Sequence, residues 1–180
     1  MLARLAEDGA QIVTDNQLLA QKIETLRNYG SKEKYYNEQI GMNSRLDELQ
    51  AALLNVKLNH IEELTKERQG IADEYLKNIK NRKILLPKLK HGREGHVFHL
   101  FVVQTDDRKA FQEYLMNNGI KSQIHYPVPP FLAECYRDMG YVPGSFPVAE
   151  AQADTIISLP LYNGMTREEI EYVIRVVNAY

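Results

Sequence analysis

NSRLDELQAALLNVKLNHIEEL, residues 43–64, is the stretch that decides the fold, because it opens the longest helical pattern in the sequence. Apolar residues recur at helical spacing over residues 45–80, which contain no proline and one glycine, Gly70. A single helix of that length would be roughly 50 Å long, more than a small domain can cover from one side. Residues 49–54 are apolar almost all round, so we expect part of this helix to be covered by another body.

The residues after the predicted helix alternate between strand and helix patterns. Strand-like segments fall at 84–87, 97–103 and 120–126, and 159–162 is extended. Helical patterns follow Asp106 or Asp107, recur at 131–139 and 148–155, and begin again at Thr166, where Glu169 completes a capping box. This order predicts an α/β (α+β) fold, a small antiparallel sheet with helices on one face.

The residues before the long helix have their own pattern. Residues 9–13 are typical of a strand end, and 17–28 of a helix that Thr14, Asp15 or Asn16 caps and Gly30 ends. The polar, aromatic residues 30–44 show no period and predict a binding loop. We therefore divide the chain into 1–44, a long connecting helix at 45–80, and a small domain at 81–180.

Composition narrows the classes of function. The 22 Lys and Arg residues against 24 Asp and Glu give a net charge of −2, which argues against nucleic acid as the main partner. No apolar run reaches the roughly 20 residues that a membrane span needs, so no membrane role is expected. The single cysteine, Cys135, and the absence of a secretory leader predict a cytoplasmic protein.

Two groups of reactive side chains have ordinary interpretations. His96 and His99 are three residues apart, and in a strand such side chains point to opposite faces, so we expect no metal site there. His99 is more typical of an ordered interior histidine. Cys135 lies near Glu134 and Asp138, whose negative charges raise the pKa of a thiol, so we expect a structural cysteine.

Two other pairs are better candidates for binding. His125 and Tyr126 end a strand just before Pro127, where side chains commonly face a ligand. Asn43 and Arg45 stand at the predicted start of the long helix, where free backbone N–H groups favour an anion such as phosphate. An equally good interpretation makes Asn43 or Ser44 only the helix N-cap.

Several motifs together resemble the DegT/DnrJ/EryC1/StrS family of pyridoxal-phosphate-dependent aminotransferases, which act on nucleotide-linked keto-sugars. They are GAQIVTD at 9–15, LRNYG at 26–30, NSRLDELQAA at 43–52, VFHLFVV at 97–103, IHYP at 124–127 and SLPL at 158–161. The resemblance covers nearly all 180 residues in order, and it matches about the last half of such an enzyme. It implies the small domain of a fold type I aminotransferase, preceded by a remnant of the cofactor-binding large domain at 1–44.

The resemblance also implies roles for individual residues. Asn43 would reach the phosphate of the pyridoxal phosphate bound by the neighbouring subunit of a homodimer formed through the long helix. His125 and Tyr126 would face the nucleotide-sugar, Tyr29 would line the site, and Arg45 is a weaker candidate for a substrate or phosphate contact. The implied amino donor is glutamate, and the implied pathway makes polysaccharides or glycosides.

This sequence differs from the family pattern at the catalytic lysine. Counting back at the family's spacing places the Schiff-base lysine at or next to Met1, and the sequence has no lysine before Lys22. Arg4, Ala6, Glu7 and Ala10 also stand where small residues, often glycine, are usual. We therefore expect this chain alone to hold no covalent cofactor, to have no catalytic residue and not to be catalytic. The alternatives are an association module, a partner of a separately encoded N-terminal half, or a truncated gene product.

Overall fold

The computed structural model describes residues 12–33 and 35–180. The chain divides into two compact units, Met1–Glu62 and Glu63–Tyr180. The strand predicted at 9–13 and the altered residues near Met1 lie largely or wholly outside the described residues. In the described part of the chain, no helix is both long and apolar enough to cross a membrane.

The first unit contains one of the predicted helices and a small hairpin. Helix α1 is Gln17–Arg27, and its N-cap is Asn16, whose Oδ1 accepts a hydrogen bond of 3.1 Å from the Leu19 amide. The helix prediction is thus confirmed. The predicted loop after it contains two short antiparallel strands, β1 (Ser31–Glu33) and β2 (Tyr36–Asn37), which no sequence period indicated.

The prediction of one continuous helix over residues 45–80 is wrong. Helix α2 is Glu48–Leu58 and helix α3 is Ile61–Asn78, with a turn at Asn59 and His60. The His60 amide bonds to the Lys57 carbonyl at 3.0 Å, a bond to the third preceding residue that tightens the chain into a 3₁₀-like turn. Apolar spacing passes through such a turn unchanged, so periodicity alone could not reveal the break.

The second unit contains the predicted antiparallel sheet, with shorter strands than expected. Strand β3 (Phe101–Gln104) pairs with β4 (Ile156–Leu159) in the register Phe101 to Leu159. Single bridges, Leu85 to Gln104 and Gln123 to Ser158, add one extended segment on each side. The small sheet is therefore confirmed, while its outer segments are held at one residue each.

Helices α4 (Arg108–Asn117), α5 (Pro147–Thr155) and α6 (Arg167–Ala179) complete this unit. Asp107 caps α4, and Thr166 and Glu169 form the predicted capping box of α6. The helix expected over 131–139 is instead a pair of 3₁₀ helices, Pro130–Leu132 and Glu134–Met139, and a further 3₁₀ turn is Arg93–Gly95. Pro129 and Pro130 lack backbone N–H donors, which disfavours α-helical bonding there.

The core of the second unit lies between α3, α4, α6 and the sheet. Tyr75 packs edge-on against Phe101 with 5.1 Å between ring centres, and its hydroxyl donates to the Pro160 carbonyl at 2.8 Å. Burying each such side chain contributes roughly 2–3 kcal/mol. The largest fully buried residues are Tyr75, Phe98, Phe101, Phe111, Leu115, Ile157, Val103 and Val177. This core fixes β4, which carries Ser158.

Candidate functional site

The structure brings three predicted residues of the first unit together. The Arg45 Nε donates to the Asn43 Oδ1 at 2.9 Å. The guanidinium carbon of Arg45 lies 5.6 Å from the centre of the Tyr29 ring, a cation–π contact. All three side chains are exposed. We call these three residues the Asn43 cluster.

Backbone pairing places the Asn43 cluster. The Tyr29 amide donates to the Met42 carbonyl at 3.0 Å, and Asn28 and Asn43 form an antiparallel bridge. The two chain segments approach so closely at Gly41 that a Cβ there would lie 2.1 Å from the Gly30 amide nitrogen. Glycine at this position therefore allows the loop to return to the end of α1.

The helix-terminus argument for Asn43 is wrong. Helix α2 begins at Glu48, and its N-cap is Asp47, so neither Asn43 nor Ser44 caps it. The carboxylates of Asp47 and Glu48 also make that terminus a poor anion site. The sequence placed the helix start too early because Leu46 continues the apolar period.

The side chains of Asn43 and Arg45, rather than a helix terminus, carry donors of a kind that can bind an anion. Among the described residues, the structure gives no hydrogen bond to Asn43 Nδ2 or to the terminal guanidinium nitrogens of Arg45. A planar guanidinium and an amide N–H suit phosphate oxygens. Arg45 also lines a cavity of about 580 Å³, together with Asn28, Tyr29, Ser31, Tyr35 and Asn37.

The second predicted pair lies in the second unit. The His125 Nδ1 is 2.9 Å from the Ser158 Oγ. His125 is half-buried, while Tyr126 is 70% exposed and stands edge-on to it with 5.7 Å between ring centres. The peptide bond between His125 and Tyr126 is cis. His125 is thus anchored on the sheet, and Tyr126 faces outward.

The interior placement of His99 is wrong. No strand runs through residues 96–99, so the alternation argument for His96 and His99 does not apply. Phe98, with φ of 48°, is buried in place of His99, which is exposed. The His96 Nδ1 accepts a hydrogen bond from the Phe98 amide at 2.9 Å. Partial desolvation lowers the pKa of His99, and the nearby charge of Arg68 acts in the same direction.

The described residues contain no group of three or more His, Cys, Asp or Glu side chains able to hold a metal ion. Cys135 is exposed on its 3₁₀ helix.

Arg68 is a structural residue that our sequence reasoning missed. Its guanidinium nitrogens donate to the Phe98 carbonyl at 2.8 and 2.6 Å, to the His99 carbonyl at 2.5 Å and to the Leu161 carbonyl at 3.3 Å. Arg68 therefore links the chain segment just before β3 to the segment just after β4. A signal was present, because Arg68 falls in the helical series of Leu64, Ile71 and Tyr75, where an apolar residue is expected.

Glu67, the residue before Arg68 on α3, forms hydrogen bonds to the same region. Its carboxylate accepts hydrogen bonds from the Asn163 Nδ2 at 2.7 Å and the Gly164 amide at 2.7 Å. Both bonds lower the pKa of Glu67. Glu67 and Arg68 together fix the turn after β4.

The fold is that of a sugar aminotransferase. The chain superposes on the crystal structure of Streptomyces venezuelae DesV in complex with a ketimine intermediate with a TM-score of 0.81 and 37% identity, over 93% of this chain and 45% of that one. The profile of the DegT/DnrJ/EryC1/StrS aminotransferase family matches residues 4–178, so the chain belongs to that family.

Curated relatives support the same assignment. The chain is 44% identical over 172 residues to dTDP-3-amino-3,6-dideoxy-alpha-D-galactopyranose transaminase of Aneurinibacillus thermoaerophilus, covering 96% of this chain and 47% of the relative. It is 43% identical over 173 residues to the erythromycin biosynthesis sensory transduction protein EryC1 of Saccharopolyspora erythraea, again covering 96% and 47%. The chain thus spans about half the length of the curated relatives it matches.

Proposed function

We propose that this chain is part of an aminotransferase that uses pyridoxal phosphate to aminate a nucleotide-linked keto-sugar, with glutamate as amino donor. Family membership supplies the reaction class. The observation that carries the proposal is the Asn43 cluster, in which the exposed Asn43 amide and Arg45 guanidinium groups lie next to each other.

The donors of the Asn43 cluster suit the phosphate of the cofactor. When bound, pyridoxal phosphate supplies the carbonyl that carries the amino group and the electron sink that stabilises a carbanion. Asn43 and Arg45 would donate to phosphate oxygens of the cofactor held by the neighbouring subunit. Tyr29 supports the Arg45 guanidinium through its ring face and so limits the directions it can take.

His125 and Tyr126 would bind the sugar-nucleotide. His125 is held by Ser158 and is half-buried, so its free ring edge has a defined direction. Tyr126 offers an exposed ring and hydroxyl beside it, suited to contacts with a sugar or base. These groups bind and orient the substrate, and we assign them no proton transfer.

Amine chemistry would come from a lysine that this sequence does not provide at the matching position. We expect no aldimine absorbance when the chain alone is titrated with pyridoxal phosphate. A stable aldimine on one of its own lysines would contradict this part of the proposal.

The free cysteine, Cys135, is the remaining ground for placing the protein in the cytoplasm.

Helix α2 would form the dimer interface. None of its residues is buried, and on one face of the helix Leu49 is 74%, Leu53 44% and Val56 63% exposed. An apolar helix face of this kind commonly marks a protein interface. The same face would also suit a separately encoded N-terminal half. Sedimentation at micromolar concentration separates these cases: we expect a dimer that Leu49→Lys dissociates, and a monomer would contradict self-association.

Reconstitution tests the function itself. We would replace the matching 47% of the Aneurinibacillus transaminase by this chain and measure amino transfer from the amino sugar in that enzyme's name to 2-oxoglutarate. Activity that falls at least tenfold in Asn43→Ala and is kept in Lys66→Ala supports the proposal. A folded dimeric chimera that binds cofactor but transfers no amino group would contradict it.

A further inference from the structure

Ser158 is a buried polar residue whose side chain has a single partner within the described part of the chain. It lies on β4 with 5% of its surface exposed. Its backbone pairs with Val102 on one side and exchanges hydrogen bonds with Gln123 on the other, at 2.8 and 3.3 Å. Among the described residues, the only hydrogen bond of its hydroxyl is to the His125 Nδ1, at 2.9 Å.

Burial of the Ser158 hydroxyl determines whether the serine or the imidazole donates the proton of that hydrogen bond. If His125 Nδ1 carried the proton, it would donate to the Ser158 oxygen, and the hydroxyl hydrogen would be left in the interior without an acceptor. A buried donor without a partner is unfavourable. If the hydroxyl donates to Nδ1 instead, the serine is satisfied and the neutral imidazole carries its proton on Nε2.

The Nε2 atom is available for a ligand. The structure gives it no hydrogen bond within residues 12–33 and 35–180, and His125 is only half-buried. The ring of Tyr126 stands edge-on to the imidazole, with 5.7 Å between ring centres. An N–H on Nε2 is therefore a directed donor.

We propose that Ser158 is a positioning residue that fixes neutral His125 as the Nε2–H tautomer, so that His125 donates a hydrogen bond to an oxygen atom of the bound substrate. The first part concerns this chain alone. The second part rests on the proposed function and names an oxygen acceptor, such as a sugar hydroxyl or a diphosphate oxygen.

Nitrogen NMR of the histidine side chains in the 180-residue chain tests the first part, at a pH where His125 is neutral. In the unsubstituted chain we expect an acceptor-type Nδ1 and a donor-type Nε2 for His125. Ser158→Ala removes one hydrogen bond, so the ratio of Nε2–H to Nδ1–H should fall about fivefold, the equilibrium effect of one typical bond.

Matched variants make this measurement specific. Ser158→Thr keeps the hydroxyl and should retain the original pattern. Ser122→Ala makes the same substitution three residues before His125, at a side chain that forms no hydrogen bond with any described residue, and should leave His125 unchanged. A donor-type Nδ1 in the unsubstituted chain, or identical tautomers in the folded Ser158→Ala chain, would overturn the inference.

The reconstituted enzyme tests the second part. Ser158→Ala should raise the KM for the nucleotide-sugar about fivefold or more while the affinity for pyridoxal phosphate stays unchanged. An unchanged KM beside a changed tautomer would overturn the substrate role of His125 and leave the tautomer result standing. Failure of the whole chimera to transfer an amino group would count against the proposed function and not against the tautomer.

Discussion

Arg68 gives the sharpest prediction about stability. The substitution Arg68→Ala removes the donors to the Phe98, His99 and Leu161 carbonyls together. A hydrogen bond to a charged group is worth about 1.5–3 kcal/mol, and partial exposure lets water replace some of these bonds. We therefore expect the free energy of unfolding to fall by about 2–4 kcal/mol, which corresponds to roughly 5–15 °C in Tm.

The assay should report on the second unit alone. Amide hydrogen exchange of Phe101 and Val103, which are fully buried on β3, measures its opening directly. Arg68→Lys keeps the charge and loses the forked geometry, so we expect about half of the loss. Lys66→Ala on the same helix is the control, with an effect below about 0.5 kcal/mol. A loss under 0.5 kcal/mol in Arg68→Ala would refute the reasoning.

Two further predictions concern the glycines and the pH dependence. Gly41→Ala should remove amide-exchange protection from the loop after α1, because its Cβ would lie 2.1 Å from a backbone nitrogen. Gly70→Ala, whose Cβ would have nothing within 4 Å, should instead stabilise α3 by about 1 kcal/mol. Equal effects of the two substitutions would contradict the packing described. Hydrogen bonds from Asn163 and Gly164 lower the pKa of Glu67, so the stability they add is complete above its ordinary value of 4.5 and is lost as the pH falls below it. In Glu67→Gln, the urea midpoint should therefore depend less on pH below pH 4.5 than it does in the unsubstituted protein. If the plots of midpoint against pH were parallel for the two proteins, Glu67 would contribute nothing to this dependence.

The elements that could be predicted from sequence are those with local signals. Helix α1 has a capping asparagine, and α6 has a complete capping box, so short-range bonds determine where they begin. The break at Asn59 and His60 has no such signal, because the apolar series continues across it. The outer sheet segments were overextended because β-prone composition does not say how many residues find a partner.

The candidate site divides in the same way. The motifs pointed to Tyr29, Asn43 and Arg45, and the structure places them together, although the helix-terminus reason for Asn43 was wrong. Ser158 could not be recognised as the partner of His125, because the two residues are 33 positions apart and meet only through sheet pairing. Long-range pairing of this kind is absent from local sequence patterns.

The central claim, that Asn43 and Arg45 hold the phosphate of the cofactor, is tested most directly by cofactor affinity in the reconstituted dimer. We would measure Kd for pyridoxal phosphate and for pyridoxal, which lacks the phosphate, in the unsubstituted protein, Asn43→Ala and Arg45→Ala. Loss of a charge-assisted hydrogen bond should raise the Kd for pyridoxal phosphate about 10- to 100-fold and leave that for pyridoxal unchanged. Equal changes for both compounds, or none for either, would contradict the claim.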